Sequence, residues 1–248
     1  MFFDIQKASL TKRISALLLD IILLTVAATG FGFVVSKLVG YDEKYDRLEY
    51  YYDKYESDYN ISFDITEEEA ALFTQEETDR YTSAANAMNE DEGLKSTYSL
   101  VVNLTLVILS GGILLGYLLT EFAVPMIMGN GQTIGKRIFG LCLMQKDQTK
   151  LKPFALAIRT ILGKYAVETM IPVLIIVMLL AGTIGSLGTM LIGLLLTAQI
   201  ILLIRTPEKT VLHDLMAATV VVDMKSQKIF DDPEAKEQFK IKMEKGSL

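Results

Sequence analysis

The sequence predicts an all-α membrane protein with four transmembrane helices, cytoplasmic termini, an interfacial cytoplasmic segment and an acidic extracytoplasmic insertion. Apolar residues make up 51% of the 248 residues, and the mean hydropathy is +0.35. Several apolar runs approach the length of about 20 residues that crosses the hydrocarbon core of a bilayer. Acidic and basic residues are also divided unequally along the chain, as expected when its loops lie on opposite sides of a membrane.

Four segments are apolar enough to span a membrane, and they divide the chain. The first run is longer than a secretory signal core and no convincing cleavage site follows it, so we expect a retained helix. Small residues around Gly185 and Ser186 separate the last two segments, which predicts a hairpin. The predicted spans are residues 14–38, 98–128, 166–184 and 187–204. The predicted divisions are 1–40 (cytoplasmic N-terminus and first span), 41–97 (acidic insertion), 98–128 (second span), 129–165 (basic cytoplasmic or interfacial segment), 166–204 (hairpin) and 205–248 (cytoplasmic C-terminal motif and tail).

The distribution of charge predicts the orientation. Residues 41–97 hold 17 acidic and 5 basic residues, whereas the rest of the chain holds 13 acidic and 19 basic residues. Cytoplasmic loops of membrane proteins carry an excess of Lys and Arg. Basic residues crowd the N-terminus, the tail and the segment 136–164, where they are Lys136, Arg137, Lys146, Lys150, Lys152, Arg159 and Lys164. We therefore expect both termini inside and the acidic insertion outside.

The two regions between spans carry local signals of structure. In the insertion, Thr66 and Glu69 have the spacing of a capping box, which predicts an exposed helix. The clustered carboxylates there match no calcium-loop pattern, so a solvated acidic face is favoured over a metal site. On the inner side, PFALAIRTILGKY has apolar residues at helical spacing and is typical of a helix lying in the membrane surface. Residues 141–144 and 219–222 are candidate strands that would pair beneath the membrane.

Charged residues inside the spans are the main candidates for function. An intramembrane carboxylate costs about 2.5 to 3.5 kcal/mol, so it normally faces protein or water and has a partner. Asp20 and Glu121 each lie seven residues from the predicted inner edge of a span, which corresponds to about 10 Å of helix. Arg13 shares a helix face with Asp20 but is too far along the axis for a tight pair. With Gln199 at a comparable depth and Glu168 near the start of the third span, these residues predict a polar layer in the inner half of the membrane.

Two accounts of this layer are open at the level of sequence. Two carboxylates in a low-dielectric layer stay ionised only when cations compensate them. The available cations near the inner surface are Arg13, Lys136, Arg137, Arg159 and Lys164. Either arginines neutralise the layer, or one acid is protonated and exchanges its proton. A buried polar layer can also serve only to fix the register between helices. Small residues in SGGILLG, AATGFG and GSLGTMLIG indicate close helix packing, and Pro125 should bend or end the second helix.

Several classes of site are disfavoured. Cys142 and His213 are the only residues of their types, so neither a disulfide nor a zinc cluster is expected. GQTIGK departs from the phosphate-loop pattern because Arg137 follows Lys136, which argues against nucleotide binding. No nucleophile motif accompanies His213 and Asp214, so no enzymatic activity is expected. Neither a cofactor, a metal nor a nucleic-acid partner is expected.

Three motifs together resemble the RDD family of bacterial membrane proteins. KRISALLLD supplies an arginine and an aspartate, Arg13 and Asp20; GQTIGKRIFGL matches the segment after the second helix; and VLHDLMAATVVVD places Asp214 as the second aspartate. Arg159 in ALAIRT matches an arginine often found midway. The resemblance covers about residues 7–40 and 98–223. Two departures are Ala218, where the family commonly has glycine, and the acidic insertion, which lies outside the family pattern.

The resemblance implies a bacterial plasma (inner) membrane location and suggests transport, including sodium/proton exchange for some members. Two hypotheses follow: transport of an ion or small solute by a homo-oligomer that takes up a monovalent cation or proton, or a membrane scaffold or accessory subunit whose charged network is structural. The candidate site residues are Arg13, Asp20, Glu121, Arg159 and Asp214, supported by Gln132, Thr133, Lys136, Arg137, Glu168, Gln199 and His213.

Overall fold

The computed structural model describes residues 5–245 and contains, within that range, four helices long and apolar enough to cross a membrane. These are α1 (Leu10–Leu38), α5 (Glu92–Met128), α7 (Pro153–Leu180) and α8 (Gly185–Arg205). Leucine and isoleucine side chains stay exposed along them; Leu18, Ile22 and Ile201, for example, are more than half exposed. In water such surfaces would be unfavourable, whereas lipid tails solvate them. The chain is therefore an all-α membrane protein with a small strand pair.

The third long helix begins at Pro153, earlier than the expected span at residue 166. The segment expected to lie in the membrane surface is the first part of this helix and continues into the apolar part without interruption. Proline is well tolerated in the first turn of a helix, where its missing N–H has no partner to lose. The helix predicted for PFALAIRTILGKY is therefore present, and it is continuous with the predicted third span.

Two spanning helices contain stretches of π-helix: Leu118–Ala123 in α5 and Ile158–Met170 in α7. Each stretch ends shortly before a proline, Pro125 or Pro172. A proline inside a helix removes one hydrogen bond and crowds the preceding turn, and a locally widened turn relieves that crowding. The second helix consequently continues to Met128 instead of ending at Pro125.

The chain divides into two compact units, one of which runs to Gly30 and resumes at Ile113. In this unit β1 (Leu141–Gln145) pairs antiparallel with β2 (Thr219–Asp223), which confirms the expected strand pairing. Lys7 forms an isolated bridge to Val222, so the N-terminal segment lies beside β2. Three shorter helices complete the unit: α6 (Ile134–Ile138), α9 (Leu212–Met216) and α10 (Pro233–Glu244).

The other unit spans Phe31–Gly112 and contains the acidic insertion. Its own helices are α2 (Tyr41–Tyr59), α3 (Glu67–Ala70) and α4 (Gln75–Glu90). The capping box predicted at Thr66 is present but begins only the one-turn helix α3, and a second box at Thr74 begins α4. Leu48, Tyr55, Leu94 and Val101 form the core, while the carboxylates lie mainly at the surface. Within residues 5–245, no group of three or more acidic, histidine or cysteine side chains is arranged to hold a metal.

Candidate functional site: a buried polar cluster between the spanning helices

Asp20 is buried in α1 against the loop that follows α5. Its Oδ2 accepts a hydrogen bond from Thr133 Oγ1 at 2.5 Å, and its Oδ1 accepts one from the backbone N–H of Gly135 at 2.8 Å. Gly135 allows this approach because a Cβ there would lie 2.4 Å from the Ala16 carbonyl oxygen and 2.8 Å from Asp20 Oδ1. The motif GQTIGK therefore forms a close-fitting cradle for an aspartate of the first helix, in place of a phosphate loop.

Lys136 lies between the two intramembrane carboxylates. Its Nζ is 3.6 Å from Asp20 Oδ2 and 3.7 Å from Glu121 Oε2, and it donates to Thr133 Oγ1 at 3.1 Å. Only 7% of the residue is exposed. Because burial disfavours the charged form of a lysine, it lowers the pKa of Lys136 to about 8, despite the two carboxylates. A buried ammonium that can lose its proton near neutral pH thus separates two carboxylates.

Glu121 lies in the π-helical stretch of α5 and faces the π-helical stretch of α7. Lys164 forms an ion pair with its Oε1, and Thr160 donates to its backbone carbonyl at 3.0 Å. Glu121 Oε2 is buried and has no hydrogen-bond partner among the described residues, so Lys136 is its nearby counter-charge. This oxygen therefore has a free acceptor position toward Lys136.

Asp214 forms ion pairs with both arginines of the family pattern. Arg159 donates to Asp214 Oδ1 from Nε at 3.0 Å and from Nη2 at 2.8 Å, and Arg13 Nη2 lies 3.6 Å from Oδ2. Burial alone would raise the pKa of Asp214, but the Arg159 guanidinium more than offsets this and holds the pKa well below its usual range. Arg13 also donates to the Lys209 carbonyl at 2.6 Å. Arg13 thus pairs with Asp214 and not with Asp20.

His213 connects Arg159 to Glu168. Arg159 Nη2 lies 2.8 Å from His213 Nε2, and Glu168 Oε2 lies 2.7 Å from Nδ1. Arginine only donates hydrogen bonds, so His213 Nε2 is the acceptor. His213 Nδ1 therefore carries the proton and donates a hydrogen bond to Glu168. Burial and the nearby Arg159 lower the pKa of His213, consistent with a neutral imidazole. Gly163 makes room for this residue, because a Cβ there would lie 2.5 Å from His213 Cβ.

Glu168 is also held from α8. Gln199 donates to Glu168 Oε1 at 2.6 Å, and its own side-chain oxygen accepts from the backbone N–H of Leu212 at 3.1 Å. The backbone N–H of His213 donates to Glu168 Oε1 at 3.0 Å. These bonds link the third and fourth spanning helices to the start of α9.

Two of the predicted supporting residues lie apart from the charged groups. Gln132 is buried but donates to the Leu141 carbonyl at 2.7 Å, so it holds the loop against β1. Arg137 is exposed, beside the buried Lys136. The remaining predicted residues form two networks, here together called the polar cluster. The first consists of Asp20, Thr133, Glu121 and Lys136, and the second consists of Arg13, Arg159, His213, Asp214, Glu168 and Gln199. The charged members of the polar cluster are the carboxylates Asp20, Glu121, Glu168 and Asp214 and the cations Arg13, Lys136, Arg159 and Lys164.

Sequence reasoning missed Lys164, Thr160 and Thr219 as members of the polar cluster. Lys164 is among the cations expected near the inner surface, but its pairing with Glu121 was not predicted. Thr219 donates to Asp214 Oδ1 at 3.2 Å from the start of β2. Thr160 and Lys164 are four residues apart and share a helix face on which both are buried. Because both side chains are polar, their spacing alone does not indicate a buried face.

The sequence and the structure of the chain were compared with those of known proteins. Searches of curated proteins and of solved structures found no match to this chain. The sequence model of the RDD family matches residues 7–218, a range that includes both arginines and both aspartates of the polar cluster. The chain belongs to the RDD family of membrane proteins.

Proposed function

We propose that the chain exchanges a monovalent cation for a proton across the membrane, and that Lys136 is the group through which the two compete. The observation that carries this proposal is the position of the Lys136 ammonium, buried between Asp20 and Glu121 at 3.6 and 3.7 Å. While Lys136 is protonated, it supplies the positive charge that both carboxylates need. Its deprotonation leaves them short of one positive charge, which a cation from solution restores.

The free acceptor position of Glu121 supports this proposal. Oε2 has no hydrogen-bond donor among the described residues, although it is buried. A cation entering between Asp20 and Glu121 gains carboxylate oxygens that other hydrogen bonds already hold in position. One proton leaves for each cation that binds, so the exchange conserves the charge of the polar cluster.

The first test is ion flux in proteoliposomes that contain the native chain or Asp20→Asn. We expect proton release driven by sodium or potassium with the native chain and its loss with Asp20→Asn, because the amide removes one of the two charges that attract the cation. Asp53→Asn is the matched control, since Asp53 is exposed in α2. Full flux from Asp20→Asn would contradict the assignment.

A second function is favoured by the balance of charge in the polar cluster. When Lys136 is protonated, the four carboxylates of the polar cluster are balanced by four cations, as a structural network of ion pairs would require. In that case the chain is a scaffold or accessory subunit, and the network locks the inner ends of its helices. Asp20→Asn then lowers the thermal unfolding temperature while the native chain gives no flux. The exchanger instead loses flux in this variant and remains folded.

We also propose a location and an assembly. The basic loops support cytoplasmic termini in a bacterial plasma membrane. Four spans return the chain to the side on which it starts, in agreement with the bridge between Lys7 and Val222. A four-helix unit is small for a transporter, so we propose a homo-oligomer in the bilayer, without enzymatic activity or a nucleic-acid partner. Crosslinking in native membranes tests the assembly, and a yield of monomers alone would contradict it.

A further inference from the structure

A cavity of about 150 Å³ lies against one side of the polar cluster. Arg13, Arg159 and Asp214 belong to its polar wall, and Ile14, Leu17 and Leu203 belong to its apolar wall. One water requires about 10–15 Å³ of such space, so the cavity has room for a larger group. Ile14 and Leu17 are 48% and 50% exposed, so the apolar wall reaches the lipid-facing surface of α1.

The polar wall contains buried groups whose hydrogen bonds are incomplete. Arg159 Nη1 and Asp214 Oδ2 have no hydrogen-bond partner within the described part of the chain, although both residues are at least 98% buried. Arg13 Nη2 is 3.6 Å from Asp214 Oδ2, which is too long for a hydrogen bond. Leaving such groups unpaired costs free energy, and for charged groups the cost is larger. Arg159 and Asp214 both line the cavity, so its polar wall includes two buried residues whose hydrogen bonds are incomplete.

The charge of this wall restricts the occupant. Of the groups that line the cavity, the guanidinium groups of Arg13 and Arg159 share the single carboxylate of Asp214, which leaves one positive charge in excess at this wall. Glu168, the remaining carboxylate of the polar cluster, is linked to Arg159 only through the neutral His213. The other charged groups of the wall are already paired, Lys136 with Asp20 and Lys164 with Glu121. A monoanion therefore completes the balance.

The hydrogen-bond donors and acceptors of the polar wall restrict the chemistry of the occupant further. A carboxylate or a phosphodiester only accepts hydrogen bonds, so it would satisfy the arginines but would repel Asp214 Oδ2. A singly charged phosphate monoester has oxygens that accept from Arg13 and Arg159 and a P–OH that donates to Asp214. The apolar wall suits a hydrocarbon chain on the ester oxygen. We propose that the cavity binds a singly charged phosphate monoester that carries an apolar chain, with its phosphate at Arg13, Arg159 and Asp214.

The test of this binding does not require a measurement of cation flux. The full chain, purified in a non-ionic detergent, is titrated with dodecyl phosphate, with methyl dodecyl phosphate and with inorganic phosphate, and occupancy is read by native mass spectrometry. The titration is made at about pH 6, where roughly half of a phosphate monoester carries a single charge. We expect one dodecyl phosphate per chain. The diester lacks the P–OH and should bind about tenfold more weakly or worse, as expected when a hydrogen bond to a buried charge is lost. Inorganic phosphate should bind more weakly than dodecyl phosphate because it lacks the chain.

Three results would overturn the proposal. Equal binding of the monoester and the diester contradicts the role of Asp214 as acceptor. Inorganic phosphate that binds as tightly as dodecyl phosphate identifies a site for free phosphate and contradicts the role of the apolar wall. No bound dodecyl phosphate contradicts the site altogether.

Variants locate the binding in the cavity. Ile14→Trp places a large side chain in the apolar wall without changing a charge, so it should reduce dodecyl phosphate binding at least tenfold. Leu18→Trp is the matched control, since Leu18 is 58% exposed on the same helix and lies outside the cavity lining. Arg13→Gln should also weaken binding about tenfold. Native binding by Ile14→Trp, or equal losses in the two tryptophan variants, would contradict the location.

Discussion

At the scale of single residues, Gly135 and Ala218 lie at backbone positions where the presence or absence of a Cβ affects stability. Gly135 allows the first helix to contact the loop that binds Asp20. Ala218 adopts a left-handed backbone conformation with φ of 51°, at the position where the family resemblance places a glycine. Substitutions at these two positions should have opposite effects on the stability of the protein.

Gly135→Ala should destabilise the protein. The new Cβ would lie 2.4 Å from the Ala16 carbonyl oxygen, so the loop must move and the hydrogen bond to Asp20 lengthens. Overpacking of this kind costs about 1–3 kcal/mol, and we expect a clearly lower unfolding temperature in detergent. Gly30→Ala is the control, because a Cβ at Gly30 meets nothing within 4 Å. Equal unfolding temperatures for the two variants would show that the close contact is unimportant.

Ala218→Gly should stabilise the protein. A left-handed conformation costs an L-residue about 1–2 kcal/mol, and glycine avoids that cost while giving back part of it as lost backbone entropy. Ala218 is exposed, so the change removes little packing. The neighbouring Ala217 has φ of −94° and is buried, and Ala217→Gly should lower the unfolding temperature. If both variants are destabilised alike, backbone strain at Ala218 is not significant.

Sequence predicted which residues carry charge in the membrane but not which of them pair. The cost of burying Asp20 and Glu121 was sufficient to predict a shared polar layer. The partners of Asp20, Thr133 and the Gly135 N–H, come from a loop more than 100 positions away in the chain. No local pattern encodes such contacts, because they depend on how the helices and loops pack.

At the scale of elements, the local signals that begin a helix were predictable from sequence, whereas the packing of helix faces was not. The capping boxes are local, and the one at Thr66 was predicted from its spacing and is present. Thr160 and Lys164, which contact Glu121 from α7, have the four-residue spacing of one helix face, but that spacing does not indicate that a polar pair is buried. The continuity of α7 from Pro153 was not predicted, because a helix in the membrane surface and the first part of a spanning helix have the same apolar spacing.

Thr74→Ala should loosen the first turn of α4. The Thr74 hydroxyl accepts from the backbone N–H of Glu77, and the Glu77 carboxylate accepts from the backbone N–H of Thr74. Loss of such a cap costs about 1 kcal/mol, so amide hydrogen exchange in residues 75–78 should become about fivefold faster. Thr82→Ala is the control, since Thr82 donates within the middle of the same helix. Unchanged exchange in Thr74→Ala would mean that other contacts hold this helix end.

At the scale of the whole molecule, hydropathy and charge predicted the number of spans and the separate acidic region. Four long apolar helices and a distinct unit at Phe31–Gly112 are present. The charge balance of the polar cluster was not predictable, because the pairs Lys164–Glu121 and His213–Glu168 form between elements that are distant in the chain. Membership of the RDD family agrees with the motifs that carry Arg13, Asp20, Arg159 and Asp214.

The central claim is that Lys136 links proton release to cation binding, and the pH dependence of cation flux tests it most directly. Burial lowers the pKa of Lys136 to about 8, so below that pH its ammonium supplies the positive charge between Asp20 and Glu121, and above it that charge is missing and a cation from solution replaces it. Sodium flux in proteoliposomes carrying the native chain should therefore rise as the pH increases through about 8.

Lys136→Gln should abolish this dependence between about pH 7 and about pH 9, roughly one unit either side of the lowered pKa, because no proton then competes with the cation. Arg137→Gln is the matched control, since this neighbouring cation is exposed and should leave the native pH profile unchanged. A native chain whose flux rises with pH, together with a flat profile for Lys136→Gln alone, is the result we predict. An unchanged pH profile in Lys136→Gln, or no flux from folded native protein, would contradict the account.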